Sequence, residues 1–549
     1  MDDQGRGGQK VWTPLLFSIV LVAGMVFGFN MHDTLRNKRD ITTVIQRNDR
    51  LEELIDLINE KYVDTVNNNQ LYSDAVSGIL KPLDPHTVYI PAEDLQGVND
   101  DLEGGFSGIG VEFSVIRDTI RVTSIVENGP AGRAGVQIGD QFIKVGDSVV
   151  AGNGITSDRI THLLKGKQHS RVYVSLKQVA NGLPKEVTIT RDIIPIYSVD
   201  ASFMIDSITA YIKINRFSAT TYEEFSNALK KLTAVGAKQL ILDLRDNPGG
   251  YLDAATSICD DFLDDKKLIV YTKGIHTRKK EFRGNGDKGL FEKGKLAILV
   301  DESSASASEI VAGAVQDWDR GVIIGRRTFG KGLVQEQYAL PDGAALRLTI
   351  AKYYTPSGRC IQRSFAQGRD AYIQDYEHRF ENSVLSGRIP DPIPDTTPYY
   401  TSNQRLVFGG GGIKPDVFVP YDTSRLSAPL LSMIYSQEMK SAAWDFFIMN
   451  KPKLTYSNIV EFNEMFKMED KVIGDYLDLL KPTALTQAKK VLKNSESYQY
   501  FRLLVKAHIA RFLFRDNGYF AISLKDDDAV HKALSVFGSN EYSKILGKR

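Results

Sequence analysis

The run Ser303-Ser304-Ala305-Ser306-Ala307-Ser308-Glu309 lies between an apolar strand, Leu296 to Val300, and an apolar helix, Ile310 to Trp318. It sets a hydroxyl at a strand-to-helix junction, where the N–H groups of the first helical turn can hold a developing oxyanion. Lys331 follows between two glycines in Thr328-Phe329-Gly330-Lys331-Gly332. A lysine acts as a neutral base only when desolvated, because an exposed amine is almost wholly protonated at pH 7. The glycines let backbone pack closely around it. Taken singly, a Ser/Ala-rich turn is an ordinary helix cap, and a Gly-Lys-Gly triplet is an ordinary loop with a solvated lysine. The pair is more specific. Eight histidines are present, but no G-x-S-x-G elbow or H-E-x-x-H helix accompanies them, so a hydrolase using this serine requires lysine chemistry.

A second segment, Leu242-Asp243-Leu244-Arg245-Asp246-Asn247-Pro248-Gly249-Gly250, reads as a short buried strand followed by a turn of permissive φ, with a helix from Tyr251 to Leu263. In isolation this is an ordinary strand-turn-helix.

Val300 to Ile310 and Gly325 to Gln335 together resemble the carboxy-terminal processing (tail-specific) serine peptidases. The resemblance implies that Ser306 is the nucleophile, Lys331 the general base and Gln335 the residue that orients the lysine. It also implies a second oxyanion arm in the Asn-Pro-Gly-Gly turn, so that an N–H of Gly249 or Gly250 joins that of Ala307. Leu83-Asp84-Pro85-His86-Thr87 is similar to another family turn, in which His86 is expected to be structural. Asp317 and Glu309 are expected to shape the site. No metal or organic cofactor is implied.

From Gly104 the texture changes to short β-like runs with glycine turns, and Gly129 to Val145 with Phe106 to Phe113 looks like a PDZ domain. A glycine-flanked loop before a strand edge exposes successive N–H groups, which can hold a terminal carboxylate while a peptide adds to the sheet. That loop would be Phe106, Ser107, Gly108, Ile109 and Gly110. The implied partners are proteins or peptides with free C-termini.

Val11 to Met31 carries no charged side chain and has about the ~20 residues that span a bilayer. Arg6 and Lys10 precede it, placing the N-terminus in the cytoplasm, although Arg36, Lys38 and Arg39 follow. No A-x-A cleavage site is evident, so an uncleaved anchor is expected. The implied setting is a bacterial-type inner membrane, crossed once, with the catalytic part in the periplasm. A formal net charge of +0 gives no sign of nucleic-acid binding, and two cysteines, Cys259 and Cys360, cannot form a disulfide framework.

The expected organisation is multidomain α/β. Residues 1–31 form the N-terminus and transmembrane anchor, 32–103 a helical region, 104–193 the PDZ β module, 194–420 an α/β protease core and 421–549 a helical region. By resemblance the core is crotonase/ClpP-like. The helical ends are expected to serve packing or homo-oligomerisation. Arg363 to Asn403 is expected to be a polar surface excursion, and the four glycines Gly409 to Gly412 lack the Lys-Ser/Thr of a phosphate loop. The competing expectation is a PDZ adaptor on a degenerate hydrolase scaffold, against which the intact Ser306, Lys331 and Gln335 weigh.

Overall fold

A computed structural model describes residues 50–152, 154–386 (side chains of 380–386 excepted), 397–421 and 427–547. The expected membrane span, Val11 to Met31, lies outside the described residues. Among the described residues no helix is long and apolar enough to cross a membrane. Residues up to Ile79 form a unit of their own. Its described part carries the helix Arg50–Lys61 and most of Asn68–Leu80, neither with a buried residue.

The remaining unit is organised around a six-stranded sheet in the order Val199–Met204, Thr209–Ile214, Gln239–Asp243, Lys295–Val300, Val322–Gly325, Val417–Phe418. The first pair is antiparallel and the others are parallel. Parallel strands need cover on both faces, and alternate residues provide it. Ile212, Leu242, Ile298 and Ile323 pack against the helices Thr221–Ala234, Leu252–Asp260 and Ala307–Asp317. Tyr211, Ile241, Leu299 and Ile324 face the other way, onto Ala529, Val530, Ala533 and Phe537 of the helix Asp528–Gly538. The last part of the expected C-terminal helical region is therefore the second cover of the six-stranded sheet. Helical periodicity does not show which sheet a helix covers.

A five-stranded sheet carries the lysine loop. Its strands Val88–Ile90, Ala345–Tyr354, Leu268–Lys273 and Lys280–Arg283 follow one another, and Leu333–Ala339 pairs with Ala345–Tyr354. Val88–Ile90 comes from the expected helical region 32–103, so that region also contributes a strand to the core.

The PDZ sheet runs Val111–Val115, Ile120–Ile125, Gln141–Val145, Arg171–Lys177, Pro184–Thr190, with Val111–Val115 at its edge. The chain enters and leaves this module through Gly105–Gly108 and Asp192–Pro195, which pair antiparallel. A bundle built from residues 428 to 523 has its own apolar core, and Ile116 of the PDZ module is buried in it. Arg117 pairs with Asp445 of the bundle, and Arg515 donates to the Ile125 carbonyl at 2.9 Å. Arg515 lies at a kink within Ser495–Ser523, with φ 56°.

Candidate active site

Ser306 stands at the junction of Lys295–Val300 and Ala307–Asp317 with φ 53° and ψ −112°. Such backbone costs a non-glycine residue roughly 1–3 kcal/mol and persists only where its surroundings over-determine it. Here they do. The Ser306 N–H donates to Glu309 Oε2 at 2.9 Å, and Tyr353 donates its hydroxyl to the Ser306 carbonyl at 3.0 Å. The Glu309 and Ile310 N–H groups also donate to the Ser306 carbonyl. Ser306 and Glu309 form a capping box at the start of the helix, and among the described residues the serine O–H donates to no acceptor. The neighbouring serines are structural. Ser304 Oγ donates to the Leu244 carbonyl at 2.8 Å and Ser308 Oγ to the Asn247 carbonyl at 3.0 Å.

Asn247 locks the glycine turn against the serine turn. Its carbonyl takes the Ala305 N–H, its Nδ2 donates to the Ile214 carbonyl, and its Oδ1 takes the Gly249 N–H at 2.8 Å. Gly249 has φ 96°, and a Cβ there would lie 2.7 Å from Ser306 Cβ. Gly250 has φ 143°, and a Cβ there would lie 2.0 Å from the Phe217 carbonyl oxygen. Neither position admits a side chain. The bridge to Phe217 uses the Gly249 carbonyl and the Tyr251 N–H. Among the described residues the N–H groups of Gly250 and Ala307 have no acceptor.

The lysine loop is tied to the serine turn through one buried carboxylate. Besides the Ser306 N–H, Glu309 accepts the Gly330 N–H at 2.7 Å, the Lys331 N–H at 2.8 Å and the Thr328 hydroxyl at 2.5 Å. Burial raises its pKa, and these hydrogen bonds oppose the rise. Lys331 Nζ donates to Gln335 Oε1 at 2.9 Å. Gln335 sits at an irregularity in the strand register beside Val334, a device that re-aims a side chain. Its Nε2 donates to the His86 carbonyl. Lys331 forms no ion pair among the described residues. Burial first, then the Arg347 charge, lower its pKa from the ordinary lysine value, while Asp84 and Glu309 act the other way. No hydrogen bond joins Ser306 Oγ to Lys331 Nζ, yet both line one pocket of about 620 Å³, with Gly249, Gly250, Gln335 and Tyr353.

His86 has a second task beside the lysine. Its ring hydrogen-bonds Tyr372 at 3.0 Å, and burial, then Lys331, pull its pKa down to about 4. It is neutral near pH 7 and works through its carbonyl.

The expected polar excursion after Arg363 contains the helix Arg369–Ser386. Arg379 donates to the Thr328 and Phe329 carbonyls, and Arg363 stacks on Phe329 and Tyr372. The helix thus braces the lysine loop. Its weak apolar pattern hid it, because the contacts are made by arginines and tyrosines. The four glycines have a structural use as well. A Cβ on Gly412 would lie 2.3 Å from the Thr328 carbonyl oxygen, so the glycine allows two backbones to touch.

In the PDZ module Phe106, Ser107 and Gly108 lie in the strand paired with Asp192–Pro195, whereas Ile109 and Gly110 form the turn before the edge strand. Ile109 is buried, and its carbonyl accepts the Ala131 N–H at 2.9 Å. The helix Ser157–Leu164 is capped by Thr156.

Residues 208–368 match peptidase family S41, residues 107–190 the PDZ domain and residues 27–94 the N-terminal domain of the activating protease CtpB. A carboxy-terminal-processing protease of Bartonella bacilliformis is 35% identical over 318 residues, which span 57% of this chain and 72% of that protein. The chain belongs to this family of serine peptidases. A Staphylococcus aureus protein described as a CtpA-like serine protease is 31% identical over 358 residues, 64% of this chain and 69% of that protein. The solved photosystem II D1 C-terminal processing protease is 26% identical and covers 56% of this chain and 89% of its own, with a TM-score of 0.33. That overlap is too loose to bear on the fold.

Proposed function

We propose that this S41 peptidase cuts proteins selected by their C-terminal tails, with Ser306 as nucleophile and Lys331 as general base. The observation that carries the reading is the state of Lys331. It is a partly buried amine whose side-chain hydrogen bond among the described residues is to a neutral amide, on the same pocket as a strained serine whose O–H has no acceptor among them. Ser306 Oγ adds to the scissile carbonyl as its proton passes to Lys331 Nζ. The N–H groups of Ala307 and Gly250 hold the oxyanion, Gly249 being already bonded to Asn247. Collapse breaks the C–N bond, and the leaving amine takes the proton from the Lys331 ammonium. Water then attacks the acyl-enzyme, with neutral Lys331 again as base. Gln335 orients the lysine and is itself held by His86.

Among the described residues the PDZ strand Val111–Val115 has an unpaired edge, which supports addition of a substrate tail there, with the Ile109–Gly110 turn before it offering backbone N–H groups to the terminal carboxylate. The uncharged run Val11 to Met31 and the basic residues before it support a single-pass anchor in a bacterial-type inner membrane, with the peptidase in the periplasm. The helical ends are candidate contacts between copies.

A fluorophosphonate probe tests the nucleophile. It should label the wild-type chain and fail on Ser306→Ala, which should still fold and trap uncut substrates. Labelling or proteolysis by Ser306→Ala would reject the assignment.

A further inference from the structure

Arg347 lines the pocket that holds Ser306 and Lys331, and among the described residues it forms no ion pair. It occupies Ala345–Tyr354, the middle strand of its sheet, with Val88 beside it on one side and Gln337 on the other. The side chain is aimed by a short relay. Arg347 Nη2 donates to Gln337 Oε1 at 3.0 Å, and Gln337 Nε2 donates to Asn99 Oδ1 at 3.1 Å. Among the described residues its Nε and Nη1 have no acceptor. Asp253 lines the same pocket and forms no ion pair with it. The rest of the wall mixes apolar Leu252, Ile310, Leu333 and Val334 with polar Asn99 and Tyr251. Polar groups that converge on a pocket select a ligand of matching polarity. A guanidinium with two open donors matches a carboxylate.

We propose that Arg347 is a specificity-determining residue that binds a substrate carboxylate at the catalytic pocket, apart from any tail recognition by the PDZ domain. The proposal rests on the Ser306/Lys331 reading of this pocket. The carboxylate is either an acidic side chain near the scissile bond or the terminal carboxylate of a short tail, and one chemistry serves both. A rival role is electrostatic only, since the Arg347 charge also helps to lower the Lys331 pKa.

The test uses the full chain and internally quenched peptides in three matched forms: neutral and amidated, amidated with one glutamate scanned against glutamine, and neutral with a free C-terminus. The wild-type enzyme should prefer the glutamate form at one position, or the free-carboxylate form, by about tenfold in kcat/KM, mostly through KM. Arg347→Gln should collapse that preference, and Arg347→Lys should keep part of it. A preference due to the PDZ groove would survive Arg347→Gln and would overturn the proposal. So would the absence of any acidic preference. A third contrary result is an acidic limb of the pH–rate profile that moves to higher pH in Arg347→Gln with the preference intact, which is the purely electrostatic role. If the Ser306/Lys331 reading were at fault instead, Ser306→Ala would still cleave these peptides.

Discussion

The Ser306 turn and the PDZ edge strand each face a peptide in the proposed function, but they are held in opposite ways. Around Ser306 almost every polar group is bonded internally. Glu309 fixes the serine and lysine loops, Asn247 fixes the glycine turn, and Tyr353 spans the Ser306 and Lys331 carbonyls. Among the described residues Val111–Val115 is paired with a strand on one side only. A catalytic centre has to hold reacting groups within a fraction of an ångström, so its scaffold is over-determined. A recognition edge works by leaving donors and acceptors unmet until a partner supplies them. Substitutions should therefore act on rate at the first region and on selection at the second.

The largest departure should come from Lys331→Arg. A guanidinium stays protonated and cannot accept the serine proton. The loss in kcat should be on the order of 10²–10⁴, close to that of Lys331→Ala. The wild-type rate should rise with pH through the lowered lysine pKa, because the neutral amine is the active form and folding favours that form. An active Lys331→Arg enzyme, or a rate that falls as the pH climbs from acid through neutrality, would remove the base assignment.

Glu309→Ala comes next, and it tests over-determination directly. It strips the acceptor from three N–H groups and the Thr328 hydroxyl in a fully buried place. Each buried donor left unmet costs about 1–3 kcal/mol. A clear drop in melting temperature together with lost activity is expected. Unchanged melting would mean that the loops hold each other without the carboxylate. Gln335→Ala should be milder, about tenfold in kcat, since it removes one hydrogen bond to a lysine still held by burial.

The same contrast explains what could be read from the chain. The serine run, the Gly-Lys-Gly loop and the Asn-Pro-Gly-Gly turn are continuous in sequence, and their residue types are dictated locally by strain and close approach. His86, Tyr353 and the helix Arg369–Ser386 act from a distance through a carbonyl, a hydroxyl and arginines, and no periodicity marks such contacts. Apolar runs announced the strands of the parallel sheet. The helix that covers its far face carries an ordinary amphipathic pattern, so its destination became visible only in three dimensions. In sequence Phe106 to Gly110 reads as one glycine-flanked loop, yet Gly105–Gly108 is a connecting strand whose partner, Asp192–Pro195, lies at the other end of the module.

The smallest effect should come from Asp445→Ala, which bears on how the two regions communicate. Asp445 of the helical bundle pairs with Arg117, and Arg117 is largely exposed, so the pair contributes under about 1 kcal/mol. Ile116 and Arg515 still hold the PDZ module to the bundle, so folding should be nearly unaffected. If the PDZ position gates the active site, weakening this dock shifts the balance of positions by that same small energy. The arrangement described has Ser306 Oγ and Lys331 Nζ not yet hydrogen-bonded, so loosening it should raise the basal cleavage of a short reporter, by less than about fivefold. Stimulation by an added uncleavable C-terminal peptide should shrink correspondingly. Were the PDZ domain only a tether, it would raise the local concentration of its own ligand and nothing more. In that case neither the basal rate nor the response to the free peptide would change in Asp445→Ala, and the two regions would be physically joined but energetically independent.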